Sequence, residues 1–183
     1  MNESQPPPKN IVLIGFMGSG KSTVGRELHQ RLGYALVDMD QVIEQRAGKS
    51  IAAIFADGGE ETFRDMETRL LEELDDPTAP RRIISTGGGV IGREMNRQLL
   101  RHLGYVVWLH APIATILERT GKNRDRPLLH TADPRTRIET LLAIRKPLYE
   151  EAAHLKVETS GLDSGELATG ILESARYFFT GHL

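Results

Sequence analysis

The chain has 183 residues, 39% of them hydrophobic and 26% charged, with a formal net charge of −2 at pH 7, a length that suits one substantial core and leaves little room for a separate regulatory module. Both signs of charge are interspersed, aromatic residues are sparse and there is no lysine- and arginine-rich tract, which argues against a nucleic-acid surface. The absence of cysteine excludes disulfides and thiolate metal sites, and no apolar run reaches the length of a bilayer span. Residues 1–10 carry Pro6-Pro7-Pro8 rather than an apolar signal core, so a disordered leading segment and a cytoplasmic protein without a membrane partner are expected.

Ile11-Val12-Leu13-Ile14 predicts a buried strand, and Gly15-Phe16-Met17-Gly18-Ser19-Gly20-Lys21-Ser22 follows it directly in the pattern G-x-x-x-x-G-K-[ST]. A strand that breaks into a glycine-rich turn and then enters a helix points consecutive N–H groups and the positive end of the helix dipole at one spot. The phosphates of a nucleotide fit there. Gly15, Gly18 and Gly20 allow backbone angles and a close approach that a Cβ would obstruct, Lys21 can reach the β/γ-phosphates and Ser22 can ligate magnesium. Nucleotide contacts are therefore expected along Gly18, Ser19, Gly20, Lys21, Ser22 and Thr23.

Val24, Leu28 and Leu32 recur at four-residue spacing, which predicts a helix closed by a left-handed cap at Gly33. Tyr34 to Val37 reads as the second strand. Helical patterns follow over Asp40 to Ala47, Ser50 to Phe55 and about Glu60 to Leu74, the last with Phe63, Met66, Leu70 and Leu74 toward the core and Asp75-Asp76-Pro77 ending it. Arg82 to Thr86, Tyr105 to Leu109 and Leu155 to Glu158 predict strands three to five. Pro112 and Pro134 suit first helical turns, and Asp163 with Glu166 forms a capping-box pattern ahead of Leu167, Ile171, Leu172 and Phe178. The alternation of strands and helices predicts an α/β fold on a five-stranded parallel sheet.

Functional residues of open α/β sheets collect at the carboxyl ends of the strands. Strand two ends in Asp38-Met39-Asp40, whose carboxylates can serve separately, one toward a metal shell and one toward a substrate hydroxyl; the alternative is that Asp40 merely caps the next helix. Strand three ends in Gly87-Gly88-Gly89, either a flexible turn or a bare-backbone platform, with Ser85 or Thr86 able to face a magnesium-bound water. The polar, basic stretch from Thr120 to Leu129 reads as a flap that brings an arginine to the phosphates and excludes water, or else as a solvated loop. The six histidines show no metal-ligand spacing, and Trp108 reads as strand packing.

These motifs together resemble the shikimate kinase family. The phosphate loop, Asp38-Met39-Asp40, Phe63-Arg64, the glycine triplet, Arg126-Pro127-Leu128 and Arg145-Lys146-Pro147-Leu148-Tyr149 stand in family order from Ile11 to about Phe179. The resemblance implies a three-layer P-loop kinase fold like that of nucleoside monophosphate kinases, in one domain over residues 11–183, with a mobile lid at about 120–133 and a monomeric state. It implies ATP-dependent phosphorylation of the 3-hydroxyl of shikimate, with Mg2+ bound by Ser22 and, through water, by Asp38.

By the same resemblance Lys21, Asp40 and Arg126 are catalytic, Asp40 as the proton acceptor. Arg64 and Arg145 grip the substrate carboxylate with forked donors, Glu67 orients them, and Gly87, Gly88 and Gly89 form the backbone platform. Arg119 lies over the adenine ring, and the opposite adenine wall comes from residues 159–164. Two other readings stand beside this one: a different P-loop small-molecule kinase, such as a gluconate kinase, and a nucleotide-binding regulator without catalysis. The intact Lys21, Asp40 and Arg126 argue against the regulator.

Overall fold

The computed structural model describes residues 10–121 and 133–180. The leading segment up to residue 9, Arg126 and nearly all of the expected lid lie outside the described residues. Five strands, β1 (Asn10–Ile14), β2 (Ala35–Asp38), β3 (Arg82–Ser85), β4 (Gly104–His110) and β5 (Leu155–Glu158), form one sheet in the order β2-β3-β1-β4-β5. Every neighbouring pair is parallel. Among the described residues seven α-helices connect and flank them: α1 (Lys21–Leu32), α2 (Met39–Ala47), α3 (Ile51–Leu74), α4 (Glu94–Leu103), α5 (Ile113–Gly121), α6 (Pro134–Ala152) and α7 (Ser164–Phe179).

Alternation along the strands builds three layers. Ile11, Leu13, Ile83, Tyr105, Val107 and Leu109 face one way and pack with Val24 and Leu28 of α1 and Leu167 and Ile171 of α7. Val12, Ile14, Ile84, Val106 and Trp108 face the other way, onto Met39 and Ile43 of α2, Leu71 of α3, Leu100 of α4 and Tyr149 of α6. Because both faces are covered, the central strands read as continuous apolar runs rather than as alternating ones, which is what made them visible in the sequence. A smaller apolar group, Phe16, Met17, Ala111, Ile116 and Ile138, underlies the phosphate loop.

Several expected boundaries shift for local reasons. The two patterns expected over 50–55 and 60–74 are present as two helical stretches within α3, separated by the non-helical Gly59 (φ 75°, ψ 177°), the first capped by Ser50, whose hydroxyl accepts from Ala53 N. Pro112 stands just ahead of α5, its carbonyl accepting from Ile116 N, whereas Pro134 sits in the first turn of α6. The Asp163/Glu166 capping box is present in full, and Gly33 caps α1 at φ 68°. Helix α4 has no counterpart among the sequence expectations: it starts without a side-chain cap, and its inner face mixes Leu100 and Leu103 with the fully buried Asn96, which interrupts the apolar pattern.

Asn10 staples three elements. Its Nδ2 donates to Leu103 O (2.8 Å), and its Oδ1 accepts from Arg82 N (2.9 Å). Opposite it, Gly104 is in an extended conformation, and a Cβ there would run into the Asn10 backbone carbonyl. Gly104→Ala should therefore force β1 and β4 apart and lower stability by about 1 to 3 kcal/mol. Urea unfolding checks this; an unshifted midpoint would show that the strands accommodate the methyl group.

Candidate active site

Strand register brings the expected site residues into one row. Leu13 of β1 lies opposite Ser85 of β3, and Ser85 lies opposite Asp38 of β2, so the chain leaves three adjacent strands side by side. Thr86 ties two of these exits together: its amide (3.1 Å) and its hydroxyl (3.0 Å) both donate to Leu13 O.

From β1 the chain enters the phosphate loop. Gly18 (φ 76°) and Gly20 (φ 98°) are left-handed, and Gly20 runs straight into the first turn of α1. This turns the loop amides and the helix N-terminus toward the same space. Lys21 Nζ donates to Gly15 O (2.8 Å) and Phe16 O (3.0 Å), folding the ammonium over its own loop. Arg119 Nη1 donates to Gly18 O (3.0 Å). The Ser19 hydroxyl is buried with no hydrogen-bond partner among the described residues.

A cleft of about 400 Å³ opens here. Residues 18–23 of the loop, Asp38, Asp40, Ser85, Thr86, Gly88 and Arg119 line it. Its remaining wall includes Thr159, Leu162 and Ser164, in the segment expected to face the base. Thr159 is anchored there by its amide (2.9 Å) and hydroxyl (3.2 Å), which both donate to His110 O.

The two aspartates divide differently from the simplest reading of their spacing. Asp38, not Asp40, caps α2: its Oδ1 accepts from Asp40 N (3.1 Å) and Gln41 N (3.3 Å). Asp40 is thereby carried into the first turn of α2 and toward the glycine triplet. A Cβ at Gly87 would meet Asp40 Oδ1 at 2.9 Å and Glu67 Oε1 at 2.6 Å.

A second, more buried cluster adjoins the cleft through Asp40 and Gly88. Arg64 and Glu67, one turn apart on α3, pair at 2.6 Å and are 8% and 0% exposed. The other edge of the Arg64 guanidinium, Nε and Nη2, is held by Glu60 Oε1 at 3.2 and 2.8 Å. Arg145 of α6 stands over the Phe16 ring and donates to Gly88 O (3.3 Å). One turn on, the Tyr149 hydroxyl donates to the same carbonyl (2.5 Å), while its ring stacks on Trp108.

Every carbonyl from Gly87 to Ile91 is occupied: Gly87 O by Val90 N, Gly88 O by Tyr149 and Arg145, Gly89 O by Gly92 N, Val90 O by Asn96 and Ile91 O by Arg97. The triplet offers a ligand its amides, which find no backbone acceptor among the described residues.

The family model described as Shikimate kinase matches residues 17–176. A shikimate kinase of Thioalkalivibrio sulfidiphilus is 46% identical over 169 residues, which cover 92% of this chain and 86% of that protein. The chain belongs to the shikimate kinase family. Among solved structures, the shikimate kinase of Acinetobacter baumannii in complex with shikimate superposes with a TM-score of 0.86 at 41% identity, over 92% of this chain and 93% of that one. A gluconokinase of Sinorhizobium meliloti superposes with a TM-score of 0.56 at 16% identity, over 97% of this chain and 99% of that one. That likeness shows the fold alone.

Within the family frame, the structure assembles fifteen of the expected positions around two joined pockets, and Arg126 lies outside the described residues. Tyr149 and Glu60 carry geometry that the sequence reading passed over. Each stands four positions from an expected arginine on the same helix, Arg145 and Arg64 respectively, and that spacing was the available signal.

The residues present also suit magnesium. Ser22 and Asp38 line one cleft with hard oxygen donors, and no group of three or more His, Cys, Asp or Glu able to hold a metal occurs among the described residues. An ion held by one or two protein oxygens together with phosphates is the arrangement magnesium favours over a protein cage.

Burial, the largest influence, pushes the Glu67 carboxyl up from its ordinary 4.5 to about 7, against the pull of the Arg64 guanidinium. Between those values the folded chain holds a proton that the unfolded chain has released, so the stability contributed by this group is full below 4.5 and is lost as pH rises through 7. Wild type should lose up to about 1.4 kcal/mol per pH unit over that window relative to Glu67→Gln. Urea titrations of both proteins from pH 5 to 8 test it, and parallel curves would place the Glu67 proton elsewhere.

Proposed function

We propose that this chain is a shikimate kinase, transferring the γ-phosphoryl group of ATP to the 3-hydroxyl of shikimate to give shikimate 3-phosphate and ADP on the route to the aromatic amino acids. One observation carries the reading at the level of the site. Asp40 belongs both to the cleft of the phosphate loop and to the surroundings of the Arg64, Glu67 and Arg145 cluster. A donor phosphate on one side and an acidic polyol on the other would meet at that carboxylate.

The mechanism follows from what each group can do. The loop amides, the N-terminus of α1 and Lys21 bind the phosphates; the Lys21 ammonium would exchange the carbonyls of Gly15 and Phe16 for β- and γ-oxygens. Ser22 and Asp38, which line the cleft, would hold magnesium, which would supply charge neutralisation to the phosphates. Arg119 supports the adenine, facing the wall formed by Thr159, Leu162 and Ser164.

Arg64 and Arg145 receive the shikimate carboxylate. Glu60, with its side chain 53% exposed, makes an i,i+4 pair with Arg64 of the weak surface kind, whereas the fully buried Glu67 is the fixed partner. The substrate carboxylate would therefore displace Glu60 and leave Glu67 holding the guanidinium in orientation. The amides of Gly87, Gly88 and Gly89 receive ring oxygens, and Asp40 orients the 3-hydroxyl and takes its proton as the oxygen attacks in line. Arg126, from a lid near 120–133, adds positive charge to the transferring group and closes the site against water. The proposal takes the enzyme to be monomeric and cytoplasmic, working as a single domain over residues 11–183.

ADP release with Mg-ATP and shikimate, gluconate or nucleoside monophosphates, offered separately, tests the substrate. Turnover should be confined to shikimate; efficient use of gluconate or a nucleotide acceptor with shikimate untouched would overturn the reading. Asp40→Asn should keep both KM values near wild type and lower kcat by about 10²-fold or more, because an amide cannot take the proton. Steady-state kinetics decide it, and an undiminished kcat would remove Asp40 from the base role.

A further inference from the structure

The glycine triplet lies hard against the carboxylate-binding pair. A Cβ at Gly89 would collide with the Arg64 guanidinium, and one at Gly87 would meet Glu67 Oε1 at 2.6 Å. With so little slack, a shift of the triplet by a fraction of an ångström changes the space between its amides and Arg64. Something has to set that spacing. The α6 side holds Gly88 through Tyr149 and Arg145, but neither residue belongs to α3, the helix that carries Arg64 and Glu67.

The connection to α3 runs through a buried polar pair outside the pocket. Asn96 of α4, fully buried, donates from Nδ2 to Val90 O (3.0 Å), the first carbonyl after the triplet. Its Oδ1 is 2.8 Å from the hydroxyl of Thr68, which is 9% exposed and stands one turn beyond Arg64 on α3. Thr68 Oγ1 also lies 3.0 Å from Arg64 O and accepts from Arg93 Nη1 at 3.2 Å, and Arg93 is paired with Asp65 and Glu61 of the same helix. The adjacent Arg97 donates to Ile91 O (2.9 Å), so α4 takes two successive carbonyls of the turn that follows the triplet. For packing alone an apolar residue would serve at position 96. A fully buried amide is costly unless both of its ends are bonded, and here they are bonded to the two elements whose separation matters.

We propose that Thr68 and Asn96 form a positioning relay that fixes the glycine triplet against Arg64 and Glu67 and thereby sets affinity for the carboxylate-bearing acceptor. The relay rests on the shikimate kinase reading above. Neither residue lines the nucleotide cleft, and the strand that leads into the phosphate loop is fastened by other bonds, those of Thr86 to Leu13. Loss of the relay therefore falls on acceptor binding and spares the nucleotide.

Thr68→Val removes the hydroxyl at nearly constant shape, Thr68→Ser restores it, and Leu100→Ala, a fully buried position of α4, serves as a destabilised control. Kinetics with shikimate and ATP and thermal midpoints are measured for all three beside wild type. Thr68→Val should raise the shikimate KM about five-fold or more, with the ATP KM unchanged within about two-fold, and Thr68→Ser should bring the shikimate KM back to near wild type. Leu100→Ala should lower the thermal midpoint without moving the shikimate KM. The relay is overturned by an unmoved shikimate KM in Thr68→Val, by an ATP KM that rises in parallel, or by an equal rise in Thr68→Ser or Leu100→Ala. Wild-type turnover, measured first, separates the two levels: a wild-type chain inactive on shikimate sinks the functional reading and the relay with it, whereas an active wild type with an indifferent Thr68→Val sinks the relay alone.

Discussion

The carbonyl of Leu13 takes two hydrogen bonds from Thr86, one from the amide and one from the hydroxyl, and the site is laid out from that joint. On one side of it the chain turns into the phosphate loop; on the other it runs into the glycine triplet. Because β1 and β3 are parallel neighbours, both segments leave the sheet at the same end, and the pairing of Ser85 with Asp38 brings the exit of β2 into the same row. Parallel pairing with covered faces is thus the reason the proposed triphosphate and acceptor sites can share a border. An antiparallel neighbour would have sent one of them to the far end of the molecule.

The acceptor side is electrostatically expensive before any ligand arrives. Arg64, Glu67 and Arg145 are all buried, and charges taken out of water are offset only by close pairing and by hydrogen bonds to the remaining donors. Glu67 meets that need for one edge of Arg64, Glu60 for the other, and Gly88 O for Arg145. The partners are unequal: Glu67 is sealed in, while Glu60 reaches in from solvent. A carboxylate entering as proposed would therefore find guanidinium groups already oriented and would have to displace only the weakly held partner. On the proposed reading, this division between a fixed and an exchangeable partner would favour a carboxylate over a neutral polyol without leaving a bare buried cation in the free protein.

What could be read in the sequence follows what backbone geometry demands of particular residue types. The phosphate loop was legible because left-handed Gly18 and Gly20 have few substitutes. The central strands were legible because strands buried on both faces show as apolar runs, and the ends of α1 and α7 because Gly33 and the Asp163/Glu166 pair are local signals. Helix α4 was not, since Asn96 occupies an inward position where periodicity calls for an apolar residue and no side chain caps its start. Nor could spacing say which of Asp38 and Asp40 caps α2; that depends on the chain direction at the end of β2, which turns Asp38 back onto the helix amides. The meeting of Arg64 with Arg145 and the triplet is a tertiary event between distant segments, and in the sequence it was visible only through the family resemblance.

The triplet itself shows how composition can suggest the wrong physics while marking the right place. Three glycines after a strand suggest flexibility, yet none of Gly87, Gly88 and Gly89 is among the described residues of positive φ, so any residue could adopt their backbone angles. At Gly87 and Gly89 a side chain stands where a Cβ would be, Glu67 and Asp40 at the first and the Arg64 guanidinium at the second, while a Cβ at Gly88 would press closely on Met17 N and Gly15 O. The three neighbours are the polar pocket floor, the phosphate loop and the arginine proposed to bind the carboxylate. With the carbonyls from Gly87 to Ile91 all taken, the segment is a shelf held between the two half-sites, and its lack of side chains would let the proposed donor and acceptor approach one another there.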